Sequence, residues 1–317
     1  MFRLLSKCSL IAAIATAGSP SLQATSHGQS VRVATQTICL PDGRRLGYAE
    51  YGDPDGRIVL YFHGTPGTRL DPFVVSDRLV GTGLRVVAVD RPGLGRSSYQ
   101  SGRRITDWPS DVRCLLESLG CGEDAVGIIA HSGGAPYALA CARAMPERIT
   151  HIAIVSGHTP PGVGVKEGRY DGLLRLVVRR PRISKAAFNL TARRLRRRPD
   201  AVIRRITSDW AAADRRLVYC QPGFKQALVD DLCEATRCGA AGILRDAQLL
   251  SSCWGFAVKD AAGVPASIWH GCCDPIAPPS MAHYFHAQLP GSELILDPQA
   301  GHVSMLYTHL EEIALRF

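Results

Sequence analysis

Three side chains of this sequence, Ser132, Asp274 and His302, could together carry out acyl transfer. A serine hydroxyl is a weak nucleophile, so it needs a neighbouring base that takes its proton. Histidine can act as that base, and a carboxylate can hold the imidazole in the required tautomer and stabilise its charged form. Each of the three residues follows a different predicted strand. The sequence therefore predicts a nucleophile, a base and an orienting acid at one edge of a sheet.

Ser132 lies where a predicted strand, "AVGIIAHS" at 125–132, changes abruptly to a predicted helix over 133–145. Ala130 and Gly134, two positions away on either side, are small, which lets the strand and the helix approach each other. The free N–H groups at the start of the helix point toward the serine. This small-x-Ser-x-small spacing is typical of a nucleophile elbow, a strained turn that exposes the serine hydroxyl.

Asp274 and His302 stand in loops that follow two later predicted strands. Asp274 is part of "WHGCCDPIAPP", and His302 is part of "DPQAGHVSML". Taken singly, Asp274 could be a turn-forming aspartate before Pro275, and His302 could be a polar residue at a helix N-terminus. The order serine, aspartate, histidine, with each residue after a different strand, favours the catalytic interpretation.

A second turn could stabilise the negative charge that develops when the serine attacks a carbonyl group. It directly follows the predicted strand "RIVLYFHG" and consists of His63, Gly64, Thr65, Pro66 and Gly67. Its glycines permit the backbone of Thr65 to turn its N–H inward, beside the N–H of Gly133. Two such donors form an oxyanion hole and lower the barrier by several kcal/mol. A plain glycine turn, the alternative, would not require His63.

The elements that must position these residues alternate between strands and helices. A hairpin of "RVATQTICL" and "RRLGYAEYG", joined at Pro41-Asp42-Gly43, comes first. Further strands are predicted at "RIVLYFHG", "RVVAVD", "AVGIIAHS", "ITHIAIVSG", "PASIWHG" and "SELILD", with helices over 70–81, within 106–119, and over 133–145, 279–289 and 303–316. This order predicts an α/β fold: a mostly parallel twisted sheet with helices on both faces.

Residues 160–258 interrupt the alternation, because they carry helical patterns and many arginines but no buried strand run. We interpret them as a helical insertion, here called the cap, at the sheet edge where such folds bind ligands. The predicted domains are a separate N-terminal segment at 1–30, an α/β core of 31–159 plus 259–317, and the cap at 160–258. Apolar cap residues that could line a pocket, or merely pack the helices, are Leu173, Leu174, Leu176, Trp210, Trp254 and Phe256.

The N-terminus has the pattern of a secretory signal peptide. Arg3 and Lys7 precede a short apolar stretch, Leu10 to Ile14, and the small residues 15–17 follow. A mistaken translation start or a disordered tail would be the alternatives. If this segment is cleaved, we expect the protein to be exported to the periplasm, and otherwise to stay in the cytoplasm. No apolar run reaches the roughly 18 residues of a membrane span.

The net charge of +9 is concentrated in the cap. Between Lys166 and Arg216 there are 16 Lys or Arg but 5 Asp or Glu. A solvated outer face of amphipathic helices explains such a segment, and so would contact with anionic lipid or with an anionic substrate. Aromatic residues are sparse there, which argues against nucleic-acid binding by base stacking. The arginines that could face a pocket entrance are Arg193, Arg194, Arg196, Arg197 and Arg198.

No metal or cofactor is predicted. The eleven cysteines show no spacing of a small disulfide framework. Adjacent Cys272 and Cys273 with His283 and His286 further along do not have a usual zinc spacing. A nucleophile, base, acid and oxyanion hole need neither a metal nor a cofactor for acyl transfer.

Together these residues resemble the α/β-hydrolase superfamily, in the form of a serine hydrolase with a helical cap (AB hydrolase-1 type). The likeness covers residues 31–317 and includes HGTPG at 63–67, DRPGLGRS at 90–97, the elbow at 130–134, Asp274 and His302. Ala130 departs from the glycine that is commoner in the family, but a small residue serves there. The resemblance implies hydrolysis of a small-molecule carboxylic ester or related acyl compound through an acyl-enzyme.

Other functions of the same fold remain open. An aminopeptidase that releases N-terminal proline would prefer His-Gly-Gly-Pro-Gly, where this chain has Thr65, and would need acidic cap residues for the substrate ammonium. The same three side chains could also cleave a thioester or a carbon–carbon bond. Epoxide hydrolases and haloalkane dehalogenases of the fold use an aspartate nucleophile, against which Ser132 argues. A non-catalytic ligand-binding protein of this fold is a further alternative.

Overall fold

The computed structural model describes residues 34–163, 177 and 179–317, together with two short backbone strands, β1 (Gln23–Ser26) and β2 (Gln29–Arg32). These two strands pair antiparallel in a small sheet of their own. The signal-like stretch at 1–17 and the cap residues Leu173, Leu174 and Leu176 lie outside the described residues.

The core is an eight-stranded sheet that is mostly parallel. Its strands are β3 (Thr35–Cys39), β4 (Arg45–Gly52), β5 (Arg57–Phe62), β6 (Leu84–Val89), β7 (Val126–His131), β8 (Ile149–Val155), β9 (Ala266–Gly271) and β10 (Glu293–Asp297). Their spatial order is β10-β9-β8-β7-β5-β6-β4-β3. Only β3–β4 and β4–β6 pair antiparallel. The fold class and each sheet strand predicted from the sequence are thereby confirmed.

The central strands are continuous apolar runs because both faces of the sheet are covered. All six residues of β7 and all six of β9 are buried. The helices α2 (Trp108–Ser118), α3 (Ala135–Ala144) and α9 (Pro279–Gln288) pack on one face. On the other face lie the short helices α1 (Ser76–Leu79), α10 (Ser304–Thr308) and α11 (Leu310–Ala314).

Two predicted helices are divided in the structure. The segment predicted as a helix over 70–81 forms a 3₁₀ turn, Asp71–Val75, followed by α1. The helix predicted over 303–316 is split into α10 and α11 at His309. His309 lies between these two helices. Its ring nitrogens lie 2.9 Å from the carboxylate of Asp297 and 3.2 Å from that of Glu312.

The chain between β8 and β9 is helical in its described part. Its helices are α4 (Pro181–Arg197), α5 (Pro199–Ile206), α6 (Ala212–Cys220), α7 (Phe224–Glu234) and α8 (Ala241–Leu250). Helices α4 to α7 share a hydrophobic cluster that also touches Val74, Val303 and Tyr307 of the core. The cap is therefore packed directly on the loops that follow β5 and β10. The boundaries proposed for it at 160 and 258 stay a prediction.

Helices long and apolar enough to span a membrane are absent from the described part of the chain. The same residues contain no group of three or more His, Cys, Asp or Glu side chains that could hold a metal ion. The ten described cysteines are free thiols, and Cys272 and Cys273 are exposed.

The loop after β6 is built around the fully buried carboxylate of Asp90. Its Oδ1 accepts the Arg69 backbone N–H at 2.7 Å, and its Oδ2 accepts the Arg96 N–H at 2.7 Å and the Arg69 guanidinium at 2.8 Å. Gly95 has φ 48°, and a Cβ there would overlap the carboxylate. Burial raises the pKa of Asp90, while the charge of Arg69 opposes that rise. One carboxylate thus ties the loops after β5 and β6 together.

Replacing Asp90 by alanine should lower the free energy of unfolding by about 3–5 kcal/mol, because two N–H groups lose their acceptor and the buried Arg69 guanidinium loses one of its two carboxylate partners. Urea unfolding of both proteins measures this. Asp55→Ala, in an exposed turn of the same core, is the matched control and should stay close to the wild type. Equal stability of the Asp90 and Asp55 variants would contradict this role of Asp90.

Candidate active site

Ser132 sits at the turn between β7 and α3 with a backbone angle φ of 51°, a left-handed conformation that a residue with a Cβ rarely adopts. Gly134 lies so close to β5 that a Cβ would overlap the carbonyl oxygen of Phe62. Ala130 is fully buried and paired with β5 and β8. The N–H of His158 donates to the Ser132 carbonyl oxygen at 3.0 Å. The local geometry is that of the predicted elbow.

The structure brings the three predicted chemical side chains together in one hydrogen-bonded row. Ser132 Oγ lies 2.9 Å from Nε2 of His302, and Nδ1 of His302 lies 2.6 Å from Oδ2 of Asp274. An Nδ1–H that donates to the carboxylate leaves Nε2 with a lone pair that can accept the serine proton. The hydrogen-bond network thus selects the tautomer that a general base needs.

Asp274 both shapes its turn and faces His302. Its Oδ1 accepts the N–H groups of Ile276 at 2.8 Å and Ala277 at 3.0 Å, which leaves Oδ2 for the imidazole. Asp274 therefore forms its turn and also contacts the imidazole, while its catalytic role stays a prediction. Burial lowers the pKa of His302, but the charge and hydrogen bond of Asp274 outweigh burial, so the pKa lies above the usual histidine value.

The turn at 63–67 lies beside the elbow. A Cβ on Gly133 would come within 2.5 Å of Thr65 Oγ1, which places the two predicted oxyanion-hole residues next to each other. His63 is fully buried: its Nδ1 lies 2.8 Å from the Gly64 carbonyl oxygen, and its Nε2 accepts the N–H of Arg91 at 3.3 Å. Burial lowers the pKa of His63 to about 3, so the ring is neutral and fixes the turn.

A buried ionic network of Arg91, Arg103 and Asp246 contacts the turn at 63–67. The Arg91 guanidinium donates to the Gly64 carbonyl and to Thr65 Oγ1, each at 2.8 Å, and to Asp246 Oδ2 at 2.8 Å. Arg103 donates to the other oxygen of Asp246. Burial alone would raise the pKa of Asp246, but the two guanidinium groups hold it well below its usual range. Because Asp246 belongs to α8, a cap helix holds the predicted oxyanion turn in place.

A pocket opens at Ser132 between the core and the cap, with mostly apolar walls. Gly64, Thr65 and Pro66 of the predicted oxyanion turn line it, and so do Ser132 and His302. Its apolar lining includes Leu70, Val74, Ile206, Trp210, Phe224 and Leu228.

Two other aromatic residues proposed for a pocket do not reach it. Trp254 is buried in the hydrophobic core of the α2–α3 face, with Phe256 packed against it. Both side chains contribute to packing of the core instead of substrate contact.

The charged groups that line the pocket are acidic, which the basic cap sequence does not suggest. Asp71 and Asp231 line it, and among the residues that the structure describes no lysine or arginine does. The five arginines between 193 and 198 are exposed, so the structure supports the interpretation of a solvated outer surface. None of the five lines the pocket, and on α4 they alternate with buried Ala192 and Leu195.

Asp71 and Asp231 interact through their charges, and both contact residues near the elbow and the oxyanion turn. Asp71 Oδ2 accepts the Gly64 N–H at 3.1 Å and faces His131 Nδ1 at 3.0 Å. Burial opposes its ionisation, yet His131 and the Gly64 N–H lower the pKa of Asp71 to about 2. Burial and then the charge of Asp71 raise the pKa of Asp231, which accepts a hydrogen bond from Thr68.

Sequence reasoning missed the acidic residues that face inward from the cap. One signal was present: Asp231 falls on the apolar stripe of α7 with Phe224, Ala227 and Leu228. Likewise Asp246 lies on the buried stripe of α8. A carboxylate on the apolar face of an amphipathic helix indicates a buried partner.

Comparison with known proteins finds a match to the family model described as "Alpha/beta hydrolase family" over residues 59–315. A non-heme chloroperoxidase from Streptomyces lividans is 34% identical over 138 residues, 43% of this chain and 49% of that protein. A proline iminopeptidase from Xylella fastidiosa is 31% identical over 124 residues, 37% of each. The chain thus spans half or less of the length of these curated relatives.

Among solved structures, a bromoperoxidase from Bacillus anthracis superposes with a TM-score of 0.66. The superposition covers 89% of this chain and 98% of that chain at 21% sequence identity. At this identity the likeness shows the fold.

The left-handed backbone of Ser132 generates a prediction about stability. Ser132→Gly should be more stable than Ser132→Ala by about 0.5–1 kcal/mol, because only glycine escapes the strain of this conformation. Urea unfolding measures the difference. The same pair of substitutions at exposed Ser252, which does not have a positive φ, is the control and should favour alanine. If alanine were also the more stable residue at 132, the turn would be unstrained.

Proposed function

We propose, from the premise that this chain belongs to the alpha/beta hydrolase family, that it is a serine hydrolase of carboxylic esters or related acyl compounds. The observation that carries the proposal is the hydrogen-bonded row Asp274–His302–Ser132, which ends in an apolar pocket. An activated serine at the base of such a pocket suits a substrate with an apolar acyl or alcohol group.

The reaction would proceed in two steps. As Ser132 Oγ attacks the substrate carbonyl, His302 Nε2 takes the serine proton, and the carbonyl oxygen becomes an oxyanion. The protonated His302 then gives that proton to the leaving alcohol oxygen as the carbon–oxygen bond breaks, which leaves an acyl group on Ser132. Water, deprotonated by His302, then attacks the acyl carbon. As the bond from this carbon to Ser132 Oγ breaks, His302 returns the proton to Oγ and the acid is released.

Other groups assist these reaction steps, although none of their own covalent bonds form or break. Asp274 stays ionised and stabilises the imidazolium that forms in each step. The N–H groups of Thr65 and Gly133 are the proposed donors to the oxyanion. Because the network of Arg91 and Asp246 fixes Thr65 before substrate arrives, these donors need little reorganisation during the reaction.

A second candidate, hydrolysis of aminoacyl substrates with a free ammonium group, is favoured by the acidic lining of the pocket. The sequence argument against an aminopeptidase was that the cap is basic, yet Asp231 of the cap and Asp71 of the core both face the pocket. A cationic group between them would oppose both causes that raise the pKa of Asp231, its burial and the charge of Asp71. Thr65, where a proline-releasing aminopeptidase would prefer glycine, still argues for the ester hydrolase.

Ser132→Ala should abolish labelling by a fluorophosphonate probe and lower kcat on p-nitrophenyl esters by about 10⁶-fold, because no other nucleophile lies in the row. The ester series from acetate to laurate measures kcat/KM against acyl length, and we expect an optimum above acetate in this apolar pocket.

Ser252→Ala, at an exposed serine of the cap, is the control and should label and turn over like the wild type. A folded wild-type protein that neither labels nor turns over any of these esters would exclude the serine hydrolase and favour a non-catalytic binding role. Retained labelling in Ser132→Ala would assign the nucleophile to another residue.

The second candidate predicts a preference for a free amine. Alanine and proline p-nitrophenyl esters should then be cleaved faster than their N-acetyl forms, and Asp231→Asn should reduce that ratio. Asp230→Asn, one residue away on α7 and outside the pocket lining, is the matched control. A higher kcat/KM for the N-acetyl esters in the wild type would exclude the ammonium-binding candidate.

A further inference from the structure

The loop that carries His302 leads into α10, and the residue before this helix has no side chain that accepts its first N–H groups. His302 lies two residues before α10, a helix of five residues, and the N-cap residue Val303 offers no side-chain acceptor. The first N–H groups of a helix have no partner within it and need an acceptor from elsewhere. In most helices a Ser, Thr, Asp or Asn at the N-cap supplies one.

Here the acceptor comes from the cap, in the side chain of Asp214 on α6. Its Oδ2 accepts the backbone N–H of His302 at 2.8 Å. Its Oδ1 accepts the N–H of Val303 at 3.1 Å, and both the N–H and the hydroxyl of Ser304, at 2.8 and 2.7 Å. Asp214 is fully buried, and its side chain is the acceptor in all four hydrogen bonds, as an ionised carboxylate would be.

The loop is shaped to admit this carboxylate. A Cβ on Gly301 would overlap Asp214 Oδ2 and come within 2.5 Å of the Ala211 Cβ. A glycine is therefore required immediately before His302 for the backbone to approach α6 this closely. The fit involves the residue before the histidine, the histidine itself and the two residues after it.

The carbonyl group of His302 is held from the opposite side. Ser156, just after β8, donates its hydroxyl to this oxygen at 2.8 Å and has a left-handed φ of 49°. The N–H and C=O of one residue are thus fixed by two side chains from distant parts of the chain. The imidazole of His302 contacts Ser132 and Asp274, whereas Asp214 contacts the backbone of His302.

We propose that Asp214 is a positioning residue for the general base, so that a cap helix is part of the catalytic machinery. The proposal rests on the function proposed above for Ser132 and His302. Asp214 acts through the backbone of His302 and not on substrate. It fixes the distance between the imidazole and Ser132, and it places a further negative charge near the ring.

That charge has a measurable consequence for the pH profile. Only the neutral imidazole can take the serine proton, so kcat/KM falls as the pH drops through the pKa of His302. The charge of Asp214 acts with that of Asp274 to raise this pKa. The titratable groups that face or act on His302 are Asp71, His131, His158, Asp214, His270 and Asp274.

The test compares three variants with the wild type on a p-nitrophenyl ester. Asp214→Asn should lower kcat by about 100-fold at an unchanged KM, since a displacement of about 1 Å can cost that much. It should also move the acid limb of kcat/KM to lower pH. Ser156→Ala removes the other hold on His302 without a change of charge, so it should lower kcat and leave the acid limb in place. Asp200→Asn, an exposed cap carboxylate paired with Lys225, should resemble the wild type.

Two further measurements distinguish positioning of the base by Asp214 from a purely structural role of this residue. Titration of active sites with a fluorophosphonate corrects kcat for any inactive fraction, and NMR titration of labelled histidines follows the His302 imidazole directly. A folded Asp214→Asn protein with wild-type kcat per active site and an unmoved His302 midpoint would overturn the proposal. So would a loss of activity that the inactive fraction explains completely.

Ser304→Ala covers the case in which Asp214→Asn does not fold. It keeps the carboxylate but removes one of its four donors, together with the hydroxyl that accepts the Gly301 N–H. We expect kcat to fall by less than in Asp214→Asn, and an unchanged kcat would contradict the proposal. If the wild type shows no turnover, the proposed function fails. The NMR midpoint in Asp214→Asn still decides whether Asp214 acts on His302.

Discussion

The arrangement of the site depends on one constraint: loops that leave a parallel sheet carry N–H groups that no strand ladder satisfies. In this chain buried carboxylates accept them. Asp90 accepts one N–H group from the loop after β5 and one from the loop after β6, Asp71 accepts that of Gly64 after β5, and Asp274 accepts those of its own turn after β9. Asp214 does the same after β10. Because these groups sit in a low-dielectric interior, each bond is strong and each missing partner is costly.

The sequence predicts the features of the fold and the site that depend on neighbouring residues, and it does not predict contacts between residues far apart in the chain. The strands and the turn at Ser132 could be predicted, because buried apolar runs and small residues at fixed offsets are properties of neighbouring positions. Asp274 and His302 could be paired with Ser132, because all three follow strands of one sheet. Asp214 and Asp246 could not, since their partners lie 88 and 155 residues away in sequence and depend on how the cap docks. The division of the predicted helix over 303–316 falls at His309, whose ring contacts Asp297 outside the helix, a contact that helical periodicity does not reveal.

The cap shows why net charge is a poor guide to the chemistry of a pocket. A count over the segment gives equal weight to arginines on its outer surface and to the few acids that face inward. The long arginine side chains of α4 stay solvated, where charge is screened by water and salt. Asp231 and Asp246 are buried, where one charge acts on its neighbours far more strongly. The chemistry of the pocket is therefore set by the minority of charged residues that the helices bury.

Three buried carboxylates connect the cap to the oxyanion turn, to the loop after it and to His302. Asp246 reaches the oxyanion turn through Arg91, Asp231 reaches Thr68 beyond that turn, and Asp214 reaches His302. The core by itself supplies the elbow at Ser132 and the hydrogen bonds of Asp274 and Ser156 to His302. Asp246 and Asp214 add supports from the cap to the oxyanion turn and to the base. The interface between the core and the cap therefore both lines the pocket and holds residues of the proposed site.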